Sequence, residues 1–229
     1  MKDKMWKRSY KICSYERGEH MVDKVCETLL DKIRKSDTTI DDEKAEIIYY
    51  GLQNMIGELP KLIIVFGLAA LLGIFKLVVL GTIVLMIYRG FAGGVHLKTH
   101  ISCLLTSTFL MIGSTYLAKE VIYENVLLVY TILLAFNLII ALLYAPADTE
   151  NKPIMKESQR KKQKIESILM VFLIYFLSIV VIKERAITNL FMYMITIESL
   201  MITPLAYKIF DNKTGDERRK AILEGREGM

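Results

Sequence analysis

The sequence predicts an all-α polytopic membrane protein, with about six transmembrane helices preceded by cytoplasmic amphipathic helices. Three observations predict it. Hydrophobic residues make up 53% of the 229 residues, above the ~45–50% of an ordinary soluble domain even when glycine is counted there. Charges crowd residues 1–60 and 208–229, whereas from 61 to 207 they stand at the ends of long apolar runs, the pattern of membrane spans. Lysine and arginine are also distributed very unevenly between alternate connections, as bilayer insertion demands. The chain therefore divides into a cytoplasmic or interfacial helical region (1–60), a six-helix transmembrane domain (61–207) and a charged cytoplasmic tail (208–229).

The first region carries two helical stripes. Val22, Val25, Cys26, Leu29 and Ile33 fall on one side of one helix. After Asp41 or Asp42 as N-cap, Ile48, Leu52, Met55, Ile56 and Leu59 do the same on a second, a spacing that repeats with the helical turn. Such stripes suit packing on the rest of the protein and contact with lipid equally. Pro60 then marks entry into the first span. No cleavable signal peptide is expected, since the first apolar run begins near residue 61 behind a charged region.

Six apolar segments follow, at 61–75, 77–92, 101–118, 122–145, 165–182 and 186–207. A spanning helix needs about 20 residues, with about 17 as a lower limit. The first two segments are short and only Lys76 separates them, so they form a tight hairpin or a pair of tilted half-spans. The third is bounded by Lys98 and Lys119. The last three are long enough without argument. Residues 146–164 make the longest inner connection, opening with Pro-Ala-Asp and closing with Arg-Lys-Lys-Gln-Lys.

With the N-terminus inside and all six segments crossing, the outer connections hold only Lys76, Lys119, Lys183 and Arg185. The inner side then holds 26 of the 30 basic residues. That asymmetry puts both termini in the cytoplasm of a multi-pass cell-membrane protein. It also makes the net charge of +5 an orientation signal, with no case for nucleic acid as a partner. The three cysteines, Cys13, Cys26 and Cys103, have no disulfide-framework spacing.

Chemistry concentrates in residues 88–105, Tyr-Arg-Gly-Phe-Ala-Gly-Gly-Val-His-Leu-Lys-Thr-His-Ile-Ser-Cys-Leu-Leu. A thiol (Cys103) and two of the chain's three histidines (His96, His100) meet there at the cytoplasmic face. Cysteine attacks as a thiolate, and an imidazole can take its proton and later return one to a leaving amine. Geometry sets a condition. Seven residues of α-helix rise about 10.5 Å, too far for His96 to reach Cys103 when a hydrogen bond needs about 3 Å. Either His100, three residues before Cys103, is the base on a regular helix, or the chain from Gly90 to His100 leaves the helix and folds His96 back. Gly90, Gly93 and Gly94 permit the second arrangement. A metal reading of His96, His100 and Cys103 lacks a fourth ligand and the His-Glu-x-x-His pattern, so no metal and no cofactor are expected.

At these residues the chain resembles the AgrB family, membrane-embedded cysteine endopeptidases of Gram-positive peptide quorum sensing. Arg89, Gly94, His96 and Cys103 carry the resemblance, with His and Cys seven apart directly after a hydrophobic hairpin. Tyr-Ala-Pro-Ala-Asp-Thr-Glu-Asn-Lys-Pro-Ile at 144–154 with its following basic cluster, and Ile-Glu-Ser-Leu-Met-Ile-Thr-Pro at 197–204, extend it over about residues 45–210. The resemblance implies Cys103 as nucleophile and His96 as base, which favours the bent backbone over His100. It implies cleavage of an AgrD-type precursor peptide through a thioester acyl-enzyme, then attack by a cysteine (or serine) within the precursor to close a thiolactone or lactone ring. The product is an autoinducing peptide. It also implies a homodimer, in keeping with small residues such as Gly67, Ala70 and Gly73 that allow close helix packing.

Around that pair, Arg89 is expected to hold a substrate carboxylate or an oxyanion, or to act as an interfacial anchor. Glu198 lies about 13–14 Å inside the last span, counted from Tyr207. An intramembrane carboxylate is a functional candidate by default. It orients His96, pairs with Arg89 or Lys98, or is a neutral hydrogen-bonded group; Asn137 is a second candidate orienter. Gly93 and Gly94 supply the bend. Arg160, Lys161, Lys162 and Lys164 are expected to attract an acidic precursor tail, and the N-terminal helices to dock an amphipathic leader at the lipid surface. The alternative from another class is a peptide transporter without proteolytic activity. Transporter sites lie near the midplane on broken helices, whereas this polar cluster sits at the inner face.

Overall fold

The computed structural model describes residues 20–37, 39–95, 97, 100–149, 154, 156–216 and 219. It falls into two units, Met1–Leu68 and Ala69–Met229. Among the described residues the secondary structure is helical, apart from two isolated bridges, Gly93 with Ala147 and Thr149 with Thr214.

The first unit holds helix α1 (His20–Ser36) and most of helix α2 (Asp42–Leu71). Asp41 caps α2, its Oδ1 accepting from the Lys44 amide at 2.8 Å, which selects it over Asp42. The two helices meet through buried Cys26 and Leu30 of α1 and Ala45 and Tyr49 of α2, with Ile48, Leu52 and Ile56 against them; Leu30, Ala45 and Tyr49 lie outside the expected stripes. Val25 (43% exposed), Met55 (69%) and Leu59 (56%) stay outside this cluster. Pro60 does not end the helix: α2 runs through it to Leu71.

In the second unit the break between the first two apolar segments comes at Leu72–Ile74, ahead of Lys76. Gly73 (φ +69°) closes α2, its amide donating to Ala70 at 3.1 Å and the Ile74 amide to Ala69 at 2.9 Å. This pair of reverse bonds is how a helix stops at a left-handed glycine. Helix α3 (Phe75–Ala92), α4 (His100–Glu120), α5 (Val126–Tyr144) and α6 (Glu157–Phe176, extended by a π turn over Leu177–Val181) follow. Asn125 caps α5, accepting from the Leu128 amide at 3.1 Å.

These four are the helices, among the described residues, long and apolar enough to cross a membrane. Their outward faces carry large exposed apolar side chains, such as Leu105, Phe109, Ile132, Leu143 and Leu169. So much continuous apolar surface needs a lipid solvent. The chain is an all-α, multi-pass membrane protein.

The other two segments take different forms. Residues 61–71 continue α2. The last apolar run divides into α7 (Arg185–Met201) and a short α8 (Pro204–Ile209). Thr203 caps α8 through its hydroxyl and Pro204 occupies the first turn, the position where a missing amide costs nothing. At 17 residues, α7 is about 25 Å long. It is packed by α3, α4, α5 and α6, with Thr188–Met192, Met194, Ile195, Glu198 and Ser199 buried.

Polar groups facing these neighbours find partners. Asn189 accepts from Tyr130 Oη (2.5 Å) and donates to the Ala118 and Val121 carbonyls (3.0 and 3.1 Å). The Tyr193 and Tyr123 hydroxyls meet at 2.6 Å. Where no water is at hand, such pairing is what makes a polar interior tolerable.

The expected inner loop 146–164 is shorter than its charge suggested. Helix α6 starts at Glu157, and the Arg-Lys-Lys-Gln-Lys run forms its first turns. Glu157 with Lys161 (3.1 Å) and Lys162 with Glu166 (3.7 Å) pair at i, i+4, a spacing that supports exposed helix.

Candidate functional site

The end of α3 determines the site. Arg89 lies in its last turn and Gly93 follows it at φ +76°, ψ −146°, with Gly94 at φ +136°. Both φ values are open to glycine and strained for any other residue. The chain then runs extended. The Gly94 amide donates to the Ala147 carbonyl (3.1 Å) and the Ala147 amide to the Ala92 carbonyl (2.8 Å). On the far side the Val95 amide donates to the Met201 carbonyl (3.2 Å). Buried Val95, Ala206 and Tyr207 pack together with Ala147, Met201 and Phe210. A Cβ on Gly93 would stand 2.1 Å from the Ala147 oxygen, so the approach of the two strands requires glycine as strictly as the dihedral does.

Inside this bend lies an ion pair. Arg89 Nη1 is 2.7 Å from Glu198 Oε1, and Arg89 Nη2 donates to the Val95 carbonyl. Of the roles left open for Glu198, pairing with Arg89 is the one the structure adopts. The carboxylate is 1% exposed. An isolated charge there is prohibitive, and a guanidinium with a second acceptor is the partner that makes it stable. Gly94 matters again, since a Cβ on it would lie 2.9 Å from Glu198 Oε1. Next to this pair in sequence, Tyr88 Oη and Ser199 Oγ lie 3.3 Å apart. Arg89 thus ties α3, α7 and the bend together, and the charge it was expected to offer a substrate is largely engaged within the protein.

Cys103 lies in the first turn of α4, whose first residue is His100. Its side chain is half-buried, and its carbonyl accepts from Ser107 Oγ at 2.6 Å. The first amides of a helix lack intrahelical acceptors and present partial positive charge, which suits a site where negative charge develops. The premise that kept His96 from Cys103 no longer holds: between Ala92 and His100 the described residues are not helical. His96 and Lys98 lie outside the described residues. Val95, the neighbour of His96, is pinned through its carbonyl by Arg89 and through its amide by Met201.

Asn137 donates to Thr196 Oγ1 at 3.1 Å on α7. Of the four basic residues expected to receive the precursor tail, Arg160 is engaged elsewhere: its Nη1 is 3.0 Å from Asp148 Oδ2. Lys161 and Lys162 are exposed and Lys164 is half-buried. Asp148 is the residue that sequence reasoning passed over. A Pro-Ala-Asp at the end of an apolar run reads as a turn, and nothing local signals that this carboxylate is buried.

Comparison with known proteins agrees with this architecture. The family model "Accessory gene regulator B" matches residues 26–202. An AgrB-like protein of Listeria innocua is 26% identical over 188 residues, covering 82% of this chain and 91% of its own length. AgrB-like proteins of Clostridium perfringens (strain SM101 / Type A) and Clostridium acetobutylicum are each 27% identical, covering 69% and 71% of this chain and 76% and 77% of their own. No solved structure matches. With a family model spanning most of its length, this chain belongs to the accessory gene regulator B (AgrB) family, which serves peptide processing in agr quorum sensing.

Proposed function

We propose that this protein is a membrane-embedded cysteine endopeptidase that cleaves an AgrD-type precursor peptide and passes its acyl group on to ring closure. Cys103 is the nucleophile and His96 the base. Arg89, Glu198, Gly93 and Gly94 hold the bend that brings His96 back. With all six apolar segments crossing, both termini and the bend face the cytoplasm, and the basic residues then divide 26 inside to 4 outside. The observation that carries the reading is the glycine bend between α3 and α4, anchored on three sides, with Cys103 in the first helical turn after it.

The steps follow from the groups. His96 takes the Cys103 proton as sulfur attacks the scissile carbonyl carbon, giving a tetrahedral oxyanion near the first amides of α4. The C–N bond breaks, the imidazolium returns the proton to the leaving amine, and the charged C-terminal fragment departs. The precursor's own thiol, losing its proton to His96, then attacks the Cys103 thioester. The ring thioester forms as the enzyme's C–S bond breaks, and Cys103 recovers its proton. Forming a thiolactone directly from an amide is uphill, whereas exchange between two thioesters is nearly neutral. The first step therefore keeps the activation that ring closure uses, provided water is excluded.

The test is processing by the reconstituted protein of a synthetic precursor carrying an internal cysteine and an acidic C-terminal tail. Cys103→Ala and His96→Ala abolish cleavage, whereas His100→Ala retains it. Cleavage by Cys103→Ala ends the reading, and loss in His100→Ala with activity in His96→Ala reassigns the base. Cyclic product dominates in lipid; predominant linear hydrolysis product argues against water exclusion.

A further inference from the structure

Asp148 gathers a dense set of contacts among the described residues, and the proposed reaction does not use it. Its side chain is 5% exposed. Oδ2 accepts from Arg219 Nη1 (2.8 Å), Arg160 Nη1 (3.0 Å) and the Ile154 amide (3.0 Å). Its carbonyl accepts from Tyr207 Oη (2.9 Å) and the Gly215 amide (3.3 Å). Arg219 also donates to the Ile154 carbonyl (2.9 Å), and Thr149 bridges to Thr214.

Asp148 is one residue beyond Ala147, the residue that pairs with Gly93 and Gly94. A buried carboxylate is costly unless its charge is well matched; losing Arg219 leaves Arg160 at 3.0 Å as the remaining guanidinium on Oδ2, and removes the contact to the Ile154 carbonyl as well, so Asp148 shifts or takes up water. Either change moves Ala147. The bend then loses one of its two backbone anchors, and Val95, directly before His96, shifts with it.

We infer that Asp148 and Arg219 are positioning residues for the proposed active site, and that Thr214, Gly215 and Arg219, which contact Thr149, Asp148 and Ile154, help to complete it. The inference rests on the reading of His96 and Cys103 as the catalytic pair. Part of the region expected to be a charged cytoplasmic tail is thereby given a role at the site.

The test uses the full chain reconstituted in lipid, comparing Arg219→Ala, Arg219→Lys and Asp148→Asn with the parent. Three quantities are measured: kcat and KM for the synthetic precursor, the rate at which iodoacetamide alkylates Cys103 at pH 7, and the folded fraction. Positioning predicts that Arg219→Ala lowers kcat per folded enzyme about tenfold or more, with KM within about twofold, because misplacing a catalytic group by about 1 Å costs up to about a hundredfold. Cys103 alkylation slows in parallel, and Arg219→Lys restores part of both. Combining Asp148→Asn with Arg219→Ala costs little beyond either alone, as for two residues acting through one contact. An unchanged kcat per folded enzyme in Arg219→Ala overturns the inference, as does a loss confined to the folded fraction. If Arg219→Ala folds poorly, the same criteria apply to Arg219→Lys, which keeps the charge and loses the forked geometry. Failure of the underlying reading shows separately, as cleavage by Cys103→Ala.

Discussion

Replacing Gly93 with alanine, beside Gly90→Ala as control, isolates what the bend contributes. The two glycines are three residues apart. At Gly90 an added Cβ has nothing within 4 Å, and an alanine inside a helix gains about 0.5–1 kcal/mol over glycine. At Gly93 the new Cβ would lie 2.1 Å from the Ala147 oxygen, on a residue held at φ +76°. Ordinary carbon–oxygen contact begins about 1 Å further out, so the bend and the 145–149 segment must part by roughly that distance. Backbone at φ +76°, ψ −146° adds about 1–3 kcal/mol for a residue with a Cβ. Displacing the chain that carries His96 by about 1 Å lowers the rate about a hundredfold, with Cys103 untouched. The assay is single-turnover cleavage of the precursor in lipid, normalised to folded enzyme by thermal melting. Gly93→Ala falls by about two orders of magnitude, and Gly90→Ala keeps the parental rate with equal or higher melting temperature. A Gly93→Ala enzyme within twofold of the parent, or equal damage from both substitutions, refutes the reasoning.

Three further outcomes follow from contacts already described. Glu198→Ala leaves Arg89 without its 2.7 Å partner and destabilises the protein by about 3–5 kcal/mol, the cost of halving a buried pair; a melting temperature unchanged in Glu198→Ala contradicts this. Reversing Lys161, Lys162 and Lys164 to glutamate while keeping Arg160 weakens precursor capture at low salt, and the difference fades as salt screens it; salt-independent processing equal to the parent's removes the tail-binding role. In the first unit, burial and then the Asp23 carboxylate push the Tyr49 phenol far above its ordinary value. The unfolded phenol ionises near pH ~10 while the folded one keeps its proton. The contribution of Tyr49 is therefore complete below pH ~10 and falls as pH rises above it, and Tyr49→Phe flattens that part of the stability profile in detergent.

Much of the helical plan was legible because apolar runs bounded by charges have one physical reading in a bilayer. Asp41, Asn125 and Thr203-Pro204 carry recognisable start signals, although the last two were read as lying inside apolar segments. Helix α6 was placed eight residues late because its first turns are charged. Hydropathy does not see a solvated helix, whereas the Glu157–Lys161 and Lys162–Glu166 spacing does. At the site, helical rise left two arrangements open, His100 on a regular helix or a bend between Gly90 and His100, and the positive φ of Gly93 and Gly94 shows that the chain leaves the helix there. The choice of Arg89 as partner for Glu198 did not follow, because it depends on α3 and α7 lying side by side. The Asp148 node was invisible for the same reason: its partners Arg160, Tyr207 and Arg219 are far apart in sequence.

The central claim is that Cys103 carries the acyl group. Its most direct test is intact-protein mass spectrometry of the reconstituted enzyme, quenched in acid during turnover of a precursor whose internal cysteine is replaced by alanine. Without its ring-closing thiol, that precursor accumulates as a thioester on the enzyme. The account predicts a mass increase equal to the precursor's N-terminal fragment as an acyl group, mapped to Cys103, released by hydroxylamine and absent in Cys103→Ala. Cleavage of that precursor with no adduct on Cys103, or an adduct that persists in Cys103→Ala, contradicts it.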